Sequence, residues 1–269
     1  MPNKDITNVP LKILMIHPTA IVHPKASVAS SCEIGPYCVI GEHVALDEKC
    51  RLHSHVVMDG HTKMGKENEI FPFAAIGTKS QDLKFKGGIT RLEIGDRNVF
   101  REGVTIHSAT NDNTATVIGS DNLFLIHAHV AHDCIIGNGN IFSGFAGLAG
   151  HVIVEDNVIL SGYVAVHQFC RIGKHAMVGG CCKVRQDIAP FMLADGDVAA
   201  PLFINKIGLE RHGISEESIN ALKQAYKIIF RETLPLADAL AKVESDLPQT
   251  PEVKHLVAFI RASERGISK

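Results

Sequence analysis

Residues 118–142 read IGSDNLFLIHAHVAHDCIIGNGNIF, and an apolar side chain returns at every sixth place: Ile118, Phe124, Val130, Ile136 and Phe142. A helix repeats near 3.6 residues and a half-buried strand at two, so neither accounts for this stretch. Extended outward, the same frame runs unbroken from Ile16 to Ile76, returns at Ile94, Phe100 and Ile106, and continues from Ile118 to Val184. Of its twenty-nine positions only Asp82, Gly88 and Asp112 are not apolar. Four residues after many of them stands a small side chain, such as Ala128, Cys134 or Asn140, and Gly often follows directly, as at Gly119 and Gly137.

This pattern predicts a parallel β-helix in which each hexad is a short strand plus a turn and three hexads make one coil. The aliphatic residue fills the interior, the small one fits the turn, and Gly relieves strain at the corner. Residues eighteen apart then stack in adjacent coils, about 4.8 Å apart. The predicted domain covers 1–190. A coil that kept its core would not place Asp inside, so the misses mark outward loops at 78–91 and 107–117.

Residues 191–269 read as a small helical domain. Ser215 before Glu216 and Glu217 is a helix start, with Ile219, Leu222, Tyr226, Ile229 and Phe230 on one face. Leu236, Leu240 and Val243 give a second helix, and Thr250-Pro251-Glu252 opens a third carrying Val253, Leu256, Val257 and Ile260.

Over 269 residues, 45% apolar side chains support a packed core, and a net charge of −2 gives no footprint for nucleic acid. No stretch approaches the roughly 20 apolar residues that span a bilayer, and MPNKDITNVPLKILM lacks a signal-peptide apolar run, so a cytoplasmic protein is expected. Six of the seven cysteines share one slot of the hexad, which predicts small buried thiols rather than disulfides or zinc ligands. Phe71, Phe73, Phe145 and Phe169 fall off the interior frame and should face outward, a surface suited to pairing with copies of the chain.

By the eighteen-residue rule His132, Gly150 and Gln168 share one column, with His151 and His167 one residue to either side and His129 three residues before His132. Most other histidines, among them His17, His23, His43, His61 and His175, read as solvated turn residues. His132 differs because Asp133 adjoins it, and a carboxylate within reach fixes an imidazole's tautomer and raises its basicity, as a general base needs.

The motifs IHAHVAHDC, LAGH and AVHQF, with the loop Gln81-Asp82-Leu83-Lys84, closely resemble the UDP-N-acetylglucosamine acyltransferases that begin lipid A synthesis, over nearly the whole chain. That resemblance implies a left-handed prism, a homotrimer with sites between prisms, and no cofactor or metal. It implies transfer of an (R)-3-hydroxyacyl group from acyl carrier protein to the 3-hydroxyl of UDP-N-acetylglucosamine without a covalent enzyme intermediate. His132 would be the general base, Asp133 its orienting partner, and Gly150 an oxyanion donor through its N–H. Gln81, Asp82, Lys84, His129, His151, His167 and Gln168 match substrate contacts. Asn205 and Arg211 match residues that hold the uridine diphosphate.

Ile207 and His212 depart from that pattern, where an acidic residue and a second Arg are common. Gly180 falls at the acyl-length ruler, and Gly there favours a long chain. Chain length, and whether the acceptor carries a 3-hydroxyl or a 3-amino group, stay open. A zinc-binding carbonic anhydrase of the same prism type is the competing reading, and would need three ligands converging about 2.1 Å from one point. The N-acyltransferase of the same pathway carries an additional N-terminal domain, whereas this chain enters its repeat by Ile16.

Overall fold

A computed structural model describes residues 15–269; the segment read for a signal peptide lies almost wholly outside the described residues. From Ile21 to Val184 the chain winds through strands of two to four residues that build the three faces of a prism. Pairing along each face is parallel, and Val130 opposes Leu148, which opposes Val166, the eighteen-residue rung the sequence predicts. From Ile34 to Val184 the apolar side chains of the frame are buried, and Phe100, Phe124 and Phe142 stack inside with ring centroids 5.0 and 4.6 Å apart. Ile16, in the first described coil, is 44% exposed.

The loops run from 79 to 90 and from 108 to 114. Across them the rung lengthens from eighteen to thirty residues (Ala75 opposite Thr105) and to twenty-four (Thr105 opposite His129). The insertions are therefore twelve and six residues, both whole hexads, which is why the frame survives them.

Glycine after the aliphatic residue has a different cause from the one expected. The backbone is left-handed at the corners two residues later, where most residues are not glycine, including Tyr37, Asp121 and Asn157. Gly119 itself is needed because a Cβ there would lie 2.6 Å from the Gly137 carbonyl oxygen of the next coil. Close approach of the next coil's backbone excludes a side chain at Gly119, although other coils carry one at the same place, as at His53 and Phe71.

The sheet continues past the expected boundary at 190. Met192–Asp195 adds to one face, and Ala200–Ile204 folds back antiparallel on it. Helices follow: α1 (Lys206–Arg211), α2 (Glu216–Phe230), α3 (Leu236–Asp246) and α4 (Pro251–Arg261). The Ser215 and Thr250 side chains cap α2 and α4 as predicted. The six residues of α1 are too few to show a periodic pattern. Phe191, Met192 and Ile204 join the helical core, so the prism's last turn is also the floor of the helical domain. Arg171 lies 4.0 Å over the Phe259 ring, and His255 meets Glu155 at 2.8 Å.

His175 corrects the reading as a solvated turn residue. It is only 4% exposed, beside Phe191 and His212, because the helical domain covers its corner of the prism. Burial, with repulsion from His212 and Lys174, holds its imidazole down at about 4, against weaker opposing pull from Asp156 and Glu252. The unfolded chain therefore takes up a proton near pH 6.5 that the folded chain refuses until about pH 4. This contribution to stability is intact at neutral pH and is lost as pH falls through that window. In denaturant titrations between pH 7 and 4, His175→Phe should flatten the acid slope; an unchanged slope would refute the assignment.

Candidate active site

His132 sits at a corner, where a straight strand would give way to the next face. Successive side chains on a strand point to opposite sides. Here Asp133 takes φ 59°, the chain bends, and the two neighbours meet: His132 Nδ1 lies 2.8 Å from Asp133 Oδ2. The Asp133 carboxylate also accepts from the Thr110 N–H at 3.1 Å and from the Thr114 hydroxyl at 3.4 Å, while its own N–H donates to Thr116 Oγ1. A carboxylate holding these donors is an acceptor toward Nδ1, so the His132 proton lies on Nδ1 and the Nε2 lone pair is bare. The loop expected to project outward thus folds onto Asp133 and fixes it.

Nε2 opens into a cleft of about 530 Å³ lined by Gln81, Asp82, Lys84, His129, Gly150 and Gln168, together with His107 and Leu83. Asp82 Oδ2 lies 3.9 Å from Nε2, where a carboxylate would stabilise an imidazolium. The Lys84 N–H closes a local turn by donating to Asp82 Oδ1 at 2.9 Å. His129 Nδ1 pairs with Thr105 Oγ1 at 2.7 Å, and burial lowers its pKa.

Gly150 stands one rung from His132, and its N–H has no acceptor among the described residues. The same corner place is occupied elsewhere by Pro18, Pro36 and Pro72, which have no N–H to satisfy. A Cβ on Gly150 would lie 2.3 Å from His132 Cε1 and 2.6 Å from Nε2, so the imidazole packs directly over this peptide. A base and an unused amide donor therefore adjoin, the pair an acyl transfer requires. The thiol of Cys134, two residues beyond His132 in the chain, is pushed up to about 12 by burial and offers no thiolate nucleophile.

The other sequence candidates are more dispersed. His151 Nε2 lies 3.7 Å from Asp133 Oδ2, behind the dyad, and its ring stacks on Phe169 at 4.6 Å. His167 is exposed, with Nδ1 accepting from the Arg265 guanidinium at 2.9 Å. Asn205 and Arg211 are not among the residues lining this cleft. Asn205 is buried at the start of α1, where its amide caps Gly208 N and donates to the His175 carbonyl. Arg211 is exposed at the end of α1, as is Ile207 near its start. Gly180 continues a column with Gly144 and Gly162, and a Cβ on Gly162 or Gly180 would meet only a carbonyl oxygen at 3.4 Å. Thr110, Thr114 and His107 were not foreseen; the twenty-four-residue rung across the second loop places His107 beside Ala131, and that spacing was the available signal.

A family profile described as "Udp N-acetylglucosamine O-acyltransferase; Domain 2" matches residues 187–268. A protein of Anaeromyxobacter sp. named acyl-[acyl-carrier-protein]–UDP-N-acetylglucosamine O-acyltransferase is 47% identical over 211 residues, which is 78% of this chain and 82% of that protein. Among solved structures, LpxA of Bacteroides fragilis, a UDP-N-acetylglucosamine acyltransferase, superposes with TM-score 0.92 at 42% identity, covering 95% of this chain and all of that one. LpxA of Acinetobacter baumannii gives 0.92 at 44%, with the same coverage. The prism shares their left-handed β-helix.

Proposed function

The chain belongs to the acyl-[acyl-carrier-protein]–UDP-N-acetylglucosamine O-acyltransferases, and from that footing we propose how its residues carry an acyl group from a carrier thioester to the sugar of UDP-N-acetylglucosamine, the opening step of lipid A synthesis. His132 Nε2 takes the proton of the sugar 3-hydroxyl as that oxygen attacks the thioester carbonyl of an (R)-3-hydroxyacyl carrier protein. The tetrahedral oxyanion accepts from the Gly150 N–H. Collapse breaks the C–S bond, and the imidazolium returns its proton to the departing thiolate. Asp133 holds the imidazole and balances its charge throughout. The observation that carries this reading is the bare Nε2 packed over an amide with no acceptor among the described residues.

Asp82, Lys84, Gln81, His129, His151, His167 and Gln168 would bind the substrates around that centre. Asn205 and Arg211, away from this cleft, would serve the nucleotide across a boundary between protomers of a homotrimer. The apolar side chains left outside, with Phe73 68%, Phe169 52% and Phe145 46% exposed, support such an assembly. Phe71 is half-buried instead, between His53 and Arg101. Gly180, where an added Cβ would meet only a carbonyl oxygen at 3.4 Å, would favour a long acyl chain. Among the described residues no helix is long and apolar enough to cross a membrane, in keeping with a cytoplasmic enzyme.

One observation favours a second reading. His132, Asp133 and His151 offer ligand atoms all within 4.8 Å of one another, a spacing that could hold a metal ion. One experiment separates the two. Purified protein is incubated, with and without a chelator, with UDP-N-acetylglucosamine or its 3-amino analogue and a panel of carrier thioesters, and products are identified by mass. The acyltransferase reading expects an acylated sugar nucleotide whose yield the chelator leaves unchanged. No product from any hydroxyacyl donor would refute it, and stoichiometric zinc with chelator-sensitive activity would establish the metal reading.

A further inference from the structure

We infer that His107 is a further substrate-contacting residue of this site, its Nε2–H entering the cleft beside His132 and donating a hydrogen bond to an uncharged oxygen of the sugar substrate. The inference rests on the acyltransferase reading and deepens it.

His107 ends the strand Thr105–His107, and the register Thr105 opposite His129 sets it beside Ala131. The same column continues through Ala149 to His167. Two imidazoles therefore stand three rungs apart, about 14 Å, with only two methyl groups between them. That leaves room over the floor for a sugar-sized group.

The ring is 4% exposed and edge-on to His129, with centroids 5.1 Å apart. Its Nδ1 is sealed from solvent and has no hydrogen-bond partner among the described residues. Nε2 has no partner among the described residues either, but it is not sealed, and His107 lines the cleft. A buried N–H without an acceptor is rarer and costlier than a bare lone pair, so the proton belongs on Nε2. Burial, reinforced by His129 and His132, holds the imidazole neutral down to about pH 4. His107 is thus a fixed uncharged donor across the working pH range. Its neighbours in the cleft, Gln81, Asp82, Lys84, His129 and Gln168, are hydrogen-bonding groups. Such surroundings suit the sugar, with its several hydroxyls, rather than an alkyl chain.

Glutamine places an amide N–H about where Nε2 stands, asparagine places one near Nδ1, and phenylalanine keeps the ring shape alone. The full-length variants His107→Gln, His107→Asn and His107→Phe are compared for kcat, for KM of each substrate between pH 5.5 and 8.5, and for Tm. His107→Phe and His107→Asn should lower kcat/KM for the sugar nucleotide about tenfold, with the carrier thioester's KM unchanged. His107→Gln should retain most of it, and the wild-type to variant ratio should be flat with pH. If His107→Gln is as damaged as His107→Phe, if the loss falls equally on the thioester, or if it simply follows Tm, the contact does not exist. A wild-type protein that forms no acylated sugar would overturn the function as well, so the two failures read differently.

Discussion

His132→Ala is expected to lower turnover by about three orders of magnitude while the prism stays folded. A positioned general base contributes roughly 10²- to 10⁴-fold, and no other group in the cleft combines a bare nitrogen with a held carboxylate partner. The side chain is 13% exposed and lies on the outer wall, so truncation opens no cavity among the core residues. Steady-state turnover and a thermal melt on the same preparation check both halves. Activity within tenfold of wild type would remove His132 from the chemistry; a collapsed melt would make its role structural.

Gly150→Ala should cost about a hundredfold, although it deletes no functional group. The new Cβ would lie 2.3 Å from His132 Cε1 and 2.9 Å from Nδ1, closer than such atoms approach, so the imidazole must swing away from Asp133. Displacing a reacting group by about 1 Å is enough for a loss of this size. Gly147→Ala is the control. It lies three residues earlier in the same coil, where a Cβ would meet only the His129 Cβ at 4.0 Å, and it should behave as wild type. If the two variants are equally active, the imidazole does not depend on the Gly150 floor. If both are equally impaired, the coil rather than the dyad is what glycine protects.

Much of this was legible beforehand because a prism is a periodic object. A six-residue frame fixes which side chains point inward, and a rung of eighteen fixes which residues touch, so the column His132, Gly150, Gln168 follows from counting. The same counting missed Thr110, Thr114 and His107. The second loop stretches the local rung to twenty-four, and a residue that breaks the frame, such as Asp112, marks a loop without saying where it folds. His175 was misread for a related reason. Within its coil it is an ordinary corner residue, and only the later helices bury it. Past 190 the last strands run antiparallel or off the hexad frame, leaving no repeat to count.

The sequence by itself determined the coil, the core and the order of groups along the wall of the candidate site, because each depends on the spacing of neighbours within eighteen residues. Tertiary structure alone decided the chemistry of those groups. A left-handed backbone at Asp133 turns two adjacent side chains into a hydrogen-bonded pair, and a loop inserted in whole hexads folds back to hold the carboxylate. The Gly150 amide, at a corner place that other coils fill with Pro, finds no acceptor among the described residues. The protonation and orientation of His132 depend on contacts between segments remote in the chain, and no local period encodes them.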